Sequence, residues 1–207
     1  MKISLKNRPE PARVPEFSAA ATAILDVAER LAQTKGYNGF SYADIAAELG
    51  VTKASLHYHF PSKEALGRAL IERYGVVFAG ALETIDKSAA KPQQRLRRYV
   101  ALYDSVMRND RMCLCGMLAA EYSTLPASMQ AALKRFFDMN ERWLAQVLQE
   151  GRKSGSLAFK ESASERANMI LAALEGAMLV ARSYGDPRRF RVTAGHVLEG
   201  LGAGGKP

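Results

Sequence analysis

The sequence predicts an all-α fold: an N-terminal three-helix unit containing a helix-turn-helix, joined to a larger helical domain. Three observations predict it. Apolar residues recur at helical spacing along almost the whole chain, strand-like β-branched alternation is missing, and two short capped segments meet at Gly50. Gly36, Gly50, Pro61, Pro92, Pro126, the stretch from Gly151 to Gly155, and Pro187 punctuate the pattern. Between them the spacing predicts helices over 18–35, 42–49, 53–59, 63–87, 92–108, 111–123, 127–152, 162–184 and 188–201. Residues 1–17 carry three prolines and no period, so they are expected to form a flexible arm. The expected division is therefore an arm over 1–17, a helix-turn-helix unit over 18–65 and a helical domain over 66–207.

At 207 residues and 48% hydrophobic, the chain is long and apolar enough to bury a core. No apolar run reaches the roughly 18 residues that span a bilayer, and the opening MKISLKNRPEPARVPEF is too polar for a signal peptide, so a cytoplasmic protein is expected. The two cysteines, Cys113 and Cys115, sit at i, i+2 and diverge on a helix, which speaks against a structural disulfide. The formal charge of +8 invites a nucleic-acid partner but does not locate a face for one, because the surplus lies mostly after residue 63.

The densest signals lie between Ser41 and Phe60. Ser41 is an N-cap with Asp44 in the capping-box position. The helix it opens carries the apolar stripe Ile45, Ala46 and Leu49 and ends at Gly50, where a missing Cβ permits a left-handed turn. Thr52 caps the next helix, Val51 and Leu56 stand where a hydrophobic staple would close, and Phe60 and Pro61 stop it. Two short helices joined by a glycine turn make a helix-turn-helix, whose second helix enters the major groove by its N-terminal end. Those positions here are Thr52, Lys53, Ala54 and Ser55, and Leu56 pointing inward leaves His57, Tyr58 and His59 at the DNA edge. Ser62 and Lys63 then place a cap and a cation where an adjacent phosphate would lie. His57 and His59 diverge on the helix and have no carboxylate partner at i+4, so no metal site is expected.

Residues 21–74, above all FSYADIAAELGVTKASLHYHFPSKEALGRAL, resemble the DNA-binding domain of TetR/AcrR-family repressors. The resemblance implies DNA contacts at Ser41, Tyr42 and Ala43, then at Lys53, Ala54, Ser55, His57, Tyr58 and His59, with Lys63 on a phosphate. Ala43 and Ala54 stand where some members carry base-reading polar residues, so they supply only apolar contact. It further implies double-stranded operator DNA, a small-molecule inducer and a homodimer whose interface uses the last two long helices.

In the C-terminal domain methionine and aromatic residues concentrate, which suits a pocket for varied hydrophobic ligands. Tyr103, Met107, Met117, Phe137, Trp143 and Met178 are candidates for its lining, as are three polar residues on apolar faces, Glu121, Asn140 and Glu175. The helix over 162–184 is apolar nearly all round, and Ala173, Gly176, Ala177 and Val180 would let a partner approach closely. The long helix over 63–87 is expected to move as one body when ligand fills the space between it and the helices over 111–123 and 127–152. An enzyme is not expected, and neither is a cofactor, since the only thiols have no histidine beside them. Two alternatives stay open: a thiol-based redox or electrophile sensor using Cys113 or Cys115, with Arg111 nearby, and an architectural DNA binder without a sensor.

Overall fold

The computed structural model describes residues 17–202. The expected arm lies outside them except for Phe17, whose ring packs on Phe60 at 6.3 Å. Among the described residues there are nine α-helices and no strand: α1 (Ala19–Lys35), α2 (Tyr42–Leu49), α3 (Lys53–His59), α4 (Lys63–Ser88), α5 (Pro92–Arg108), α6 (Leu114–Ala120), α7 (Ala127–Lys153), α8 (Ala163–Ser183) and α9 (Arg188–Glu199). A 3-10 turn, Tyr122–Thr124, follows α6.

Local chemistry sets most of these limits. Ser18, Thr52 and Ser62 cap α1, α3 and α4 by accepting the N–H of Ala21, Ser55 and Ala65 at 3.2, 3.3 and 3.1 Å. Ser162 and Glu165 close a full capping box on α8, at 3.1 and 2.9 Å. At α2 the Asp44 carboxylate turns back to accept both the N–H and the hydroxyl of Ser41 at 2.7 Å, and these bonds lower its pKa. Gly50 ends α2 at φ +64, the left-handed conformation expected of it. The staple does not close: Leu56 is buried, but Val51 is 42% exposed.

The helix expected over 111–123 is shorter. Asp110 turns at φ +55, and the Met112 N–H is drawn to the Gln33 carbonyl of α1 at 3.3 Å, so α6 cannot start before Leu114. A tertiary hydrogen bond here overrides the local helical pattern.

In the C-terminal domain α7 packs on α8 and α4, α8 on α9, and α5 against α7 and α9. Asp104 of α5 joins α9 through Arg191 at 2.9 Å while also holding Arg108; burial alone would raise its pKa, but the two guanidiniums hold it low. The N-terminal unit is fastened to this domain by polar contacts. Arg73 of α4 reaches Asp26 and Glu29 of α1 at 2.6 and 2.7 Å, and Arg182 of α8 donates to the carbonyls of Gln33 and Thr34 at the end of α1.

Candidate functional site

Helix α3 presents a short, exposed edge. Leu56 is fully buried beside Ile45 and Phe60, and this orientation turns Lys53, Ala54, His57 and Tyr58 outward. Tyr58 is 84% exposed, with only the edge of the His59 ring beside it at 5.1 Å. Thr52, Ser41 and Ala43 are exposed on the same end of the unit, while Ser55 and His59 are half-buried. The His57 Nδ1 donates to the Pro61 carbonyl at 3.2 Å, which fixes the tautomer and leaves Nε2 as an acceptor.

Two expected contact residues are turned inward. Tyr42 is buried, and its hydroxyl donates to the Phe60 carbonyl at 2.7 Å, making it a strut between α2 and the end of α3; burial pushes its pKa up to about 12. The Lys63 ammonium donates to the Phe40 carbonyl at 2.5 Å and lies 4.6 Å from the centroids of both the Tyr37 and Phe40 rings. Burial lowers its pKa, and the nearby Glu121 and Asp44 carboxylates oppose that shift. Neither side chain stands free for phosphate in this conformation.

The expected ligand space behind α4 is filled with side chains. Phe78 lies at the centre of an aromatic cluster, with Tyr74, Tyr99, Tyr103 and Phe136 at 5.3 to 6.2 Å, and Trp143 stacks on Tyr99 at 5.4 Å. Met178 and Tyr103 are buried core, Met107 nearly so, and Phe137 and Met117 are half-buried at its margin. Trp143 is half-buried too, its indole N–H donating to Asp86 at 3.2 Å. Asn140 is fully buried and satisfied: it accepts from the Tyr99 hydroxyl at 2.9 Å and donates to the Phe136 carbonyl at 2.9 Å.

Glu121 is not in this core. Because α6 ends at Ala120, its carboxylate rotates out to accept the N–H groups of Tyr37 and Asn38 at 2.6 and 3.2 Å, in the turn between α1 and α2. Asn38 also bonds Thr124 at 2.8 Å. Gly36, at φ +83, lies so close that a Cβ there would come within 2.8 Å of the carboxylate. Glu121 is a fastener between the two domains. Glu175, by contrast, is aimed inward: both carboxylate oxygens are shut off from solvent and accept no hydrogen bond in normal geometry. Burial pushes its pKa up to about 7, and only the neighbouring Cys113 thiol opposes this.

Cys113 and Cys115 are free, buried thiols, and burial raises the pKa of both, with the Glu175 carboxylate adding to the effect. Burial thus disfavours the thiolate that a reactive cysteine needs.

The profile described as bacterial regulatory proteins, tetR family, matches residues 24–70, which run from α1 into α4. A second, described as tetracyclin repressor-like, C-terminal domain, matches residues 92–197, about half of the chain. The chain belongs to the TetR family. It is accordingly a DNA-binding transcriptional regulator. Transcriptional regulator AcuR of Cereibacter sphaeroides is 30% identical over 180 residues, covering 84% of this chain and 82% of AcuR. HTH-type transcriptional repressor NemR of Escherichia coli is 26% identical over 165 residues, covering 77% and 82%. Among solved structures, a TetR-family regulator from Agrobacterium tumefaciens superposes with a TM-score of 0.87 at 33% identity, covering 89% of this chain and 98% of that one.

Several residues that shape this TetR-family protein's site carried no expectation. Tyr99 is one: it stands i, i+4 from Tyr103, itself an expected lining residue, and that spacing could have flagged it too. Tyr74 stands in the apolar stripe of α4. Arg182 gave no signal, because its partners are backbone carbonyls 148 and 149 positions away.

Proposed function

We propose that this protein is a ligand-responsive transcriptional repressor that binds a palindromic operator as a homodimer and releases it when a small molecule with an apolar body enters the C-terminal domain. The observation that carries the reading is α4, one continuous helix with its two ends in different jobs. Its first residue, Lys63, is tied to the reading unit through Phe40, and its middle, at Tyr74 and Phe78, forms a wall of the aromatic cluster. A shift of that wall is carried to the reading unit.

In this reading Lys53 and Ser55 meet base edges, with Thr52, Ala54 and His57 close by and Tyr58 and His59 toward the backbone. Ser41 and Ala43 approach from α2, and Lys63 reaches phosphate only by leaving Phe40. Dimerisation is supported by an uncovered apolar face: Val180 of α8 and Tyr184 just beyond its end are 51% and 65% exposed, and Val192 of α9 is 59% exposed. Between them runs a cleft of about 530 Å³ bordered by Gly176, Ala177 and Thr193, open enough to receive side chains of a second copy. Two reading heads double the sequence read, and a two-fold axis makes the operator an inverted repeat.

A titration tests the ligand response. A compound that displaces a selected operator duplex must, by linkage, bind the operator-bound protein more weakly by the same factor. A compound that releases the duplex yet binds free and operator-bound protein equally well contradicts the reading.

A further inference from the structure

The buried polar groups around Glu175 have an uneven balance of donors and acceptors. The Tyr99 hydroxyl spends its proton on Asn140 Oδ1 at 2.9 Å, so the 3.0 Å contact between Tyr99 and Tyr103 must use the Tyr103 proton. The Tyr74 hydroxyl points at the Cys113 sulfur, 3.8 Å away. Every phenol proton of the cluster is thus committed, while the oxygen of Tyr103 and both oxygens of Glu175 still have room to accept. The Glu175 carboxylate and the Cys113 Cβ both lie against Gly116, and the Tyr74 hydroxyl on the Cys113 sulfur continues the contact to Phe78 and from there to the Tyr99 and Tyr103 rings. Among the described residues no cationic side chain is hydrogen-bonded to the Glu175 carboxylate.

We propose that Glu175 is the anchor of the effector site and that the effector is a small organic cation, an ammonium with an apolar body lying against the Phe78, Tyr99 and Tyr103 rings. This rests on the ligand-responsive reading above and names the chemical class that reading leaves open. The one donor beside the carboxylate is the Cys113 thiol, a weak one, and buried acceptors so poorly served are unfavourable; an ammonium supplies stronger donors and the opposite charge. The aromatic faces add to its hold on the cation. An anionic ligand would meet a carboxylate, with only weak thiol donors to hold it.

The same geometry gives a route to the DNA. Gly116 of α6 lies against the Glu175 carboxylate so closely that a Cβ there would overlap Oε2. A ligand reaching the carboxylate therefore has to push α6 off α8. Five residues further on, Glu121 holds the N–H groups of Tyr37 and Asn38, so the displacement pulls on the turn that leads into the reading unit.

The test uses the full-length protein with n-alkylamines of about three to six carbons, against alcohols and carboxylates of matching length. The single tryptophan, Trp143, stacks on Tyr99 and reports on the cluster by fluorescence; operator release is followed separately by anisotropy. At neutral pH the amines are expected to give a saturable Trp143 change, at least about tenfold tighter than the alcohols or carboxylates. Glu175→Gln should abolish that preference and Glu175→Asp should keep it, with circular dichroism confirming that both fold. Equal binding of all three series, tighter binding of the carboxylates, or no Trp143 response to any amine overturns the proposal. Release of operator by an alcohol or carboxylate but not by an amine leaves the ligand-responsive reading standing and removes the cation. Saturable, Glu175-dependent amine binding that leaves operator affinity unchanged does the reverse.

Discussion

Replacing Glu175 by Gln should change the pH dependence of stability in a defined direction. In the folded chain burial holds the carboxyl near pKa 7, against 4.5 for an ordinary glutamate, so the folded state binds the proton more tightly than the unfolded state does. The stability contributed by that proton is fully present below pH 4.5 and is lost as pH rises through about 7. A difference of this size corresponds to about 3 kcal/mol. The groups packed around Glu175 do not blur the window, because Tyr74, Tyr99, Tyr103, Cys113 and Cys115 all have pKa values raised further above it. Urea unfolding followed by Trp143 fluorescence, at one protein concentration and a series of pH values, gives the stability of wild type and Glu175→Gln. Titrations elsewhere cancel in the difference between the two. Between pH 4.5 and 8 wild type should lose about 3 kcal/mol relative to the variant. A flat difference, or one of opposite slope, would show that the carboxylate is ionised and partnered, and would refute the reasoning.

Glu121→Ala leaves the N–H groups of Tyr37 and Asn38 without their acceptor, and since the site is partly solvated it should lower stability by about 1 to 2 kcal/mol in urea unfolding; a variant as stable as wild type would show that water replaces the carboxylate at no cost. Tyr58→Phe should leave stability unchanged and weaken binding to all duplexes alike, whereas Lys53→Ala should alter preference at particular half-site positions by about 1 to 3 kcal/mol. Exchanged outcomes in a panel of operator variants would reverse the two roles. Val180→Asp combined with Val192→Asp puts charge on the exposed α8 and α9 face, so the variant should sediment as a folded monomer. Persistence of a dimer with native helicity would place the interface elsewhere.

How much of this was legible in the sequence depends on how local the determining forces are. The ends of α2 and α3 are set within a few residues by Ser41, Gly50, Thr52 and Phe60, and the expected limits agree with the observed helices. Helix α6 shows the reverse: its sequence is helical from Arg111 onward, but the Gln33 carbonyl takes the Met112 N–H, and position 33 is invisible from position 112. Glu121 followed from that error, because it shared an apolar face only if the helix ran past Ala120. Tyr42 and Lys63 were legible as hydrogen-bonding residues, but the Phe60 and Phe40 carbonyls that engage them are known only from the fold. Glu175 was legible as a polar interruption of MILAALEGAMLVA; that its oxygens lack partners depends on the directions of protons on α4 and α5.

The central claim is that two copies of this chain read one inverted-repeat operator through α3. Selection of bound duplexes from a random pool, followed by sedimentation of the best duplex with the protein, tests it most directly. The account predicts an inverted repeat with half-site centres about 34 Å apart or a multiple of that, and two chains or a multiple of two per duplex. Lys53→Ala should shift the selected sequence only within the half-sites. Recovery of no preferred sequence, or a single chain bound to an asymmetric site with full affinity, would contradict it.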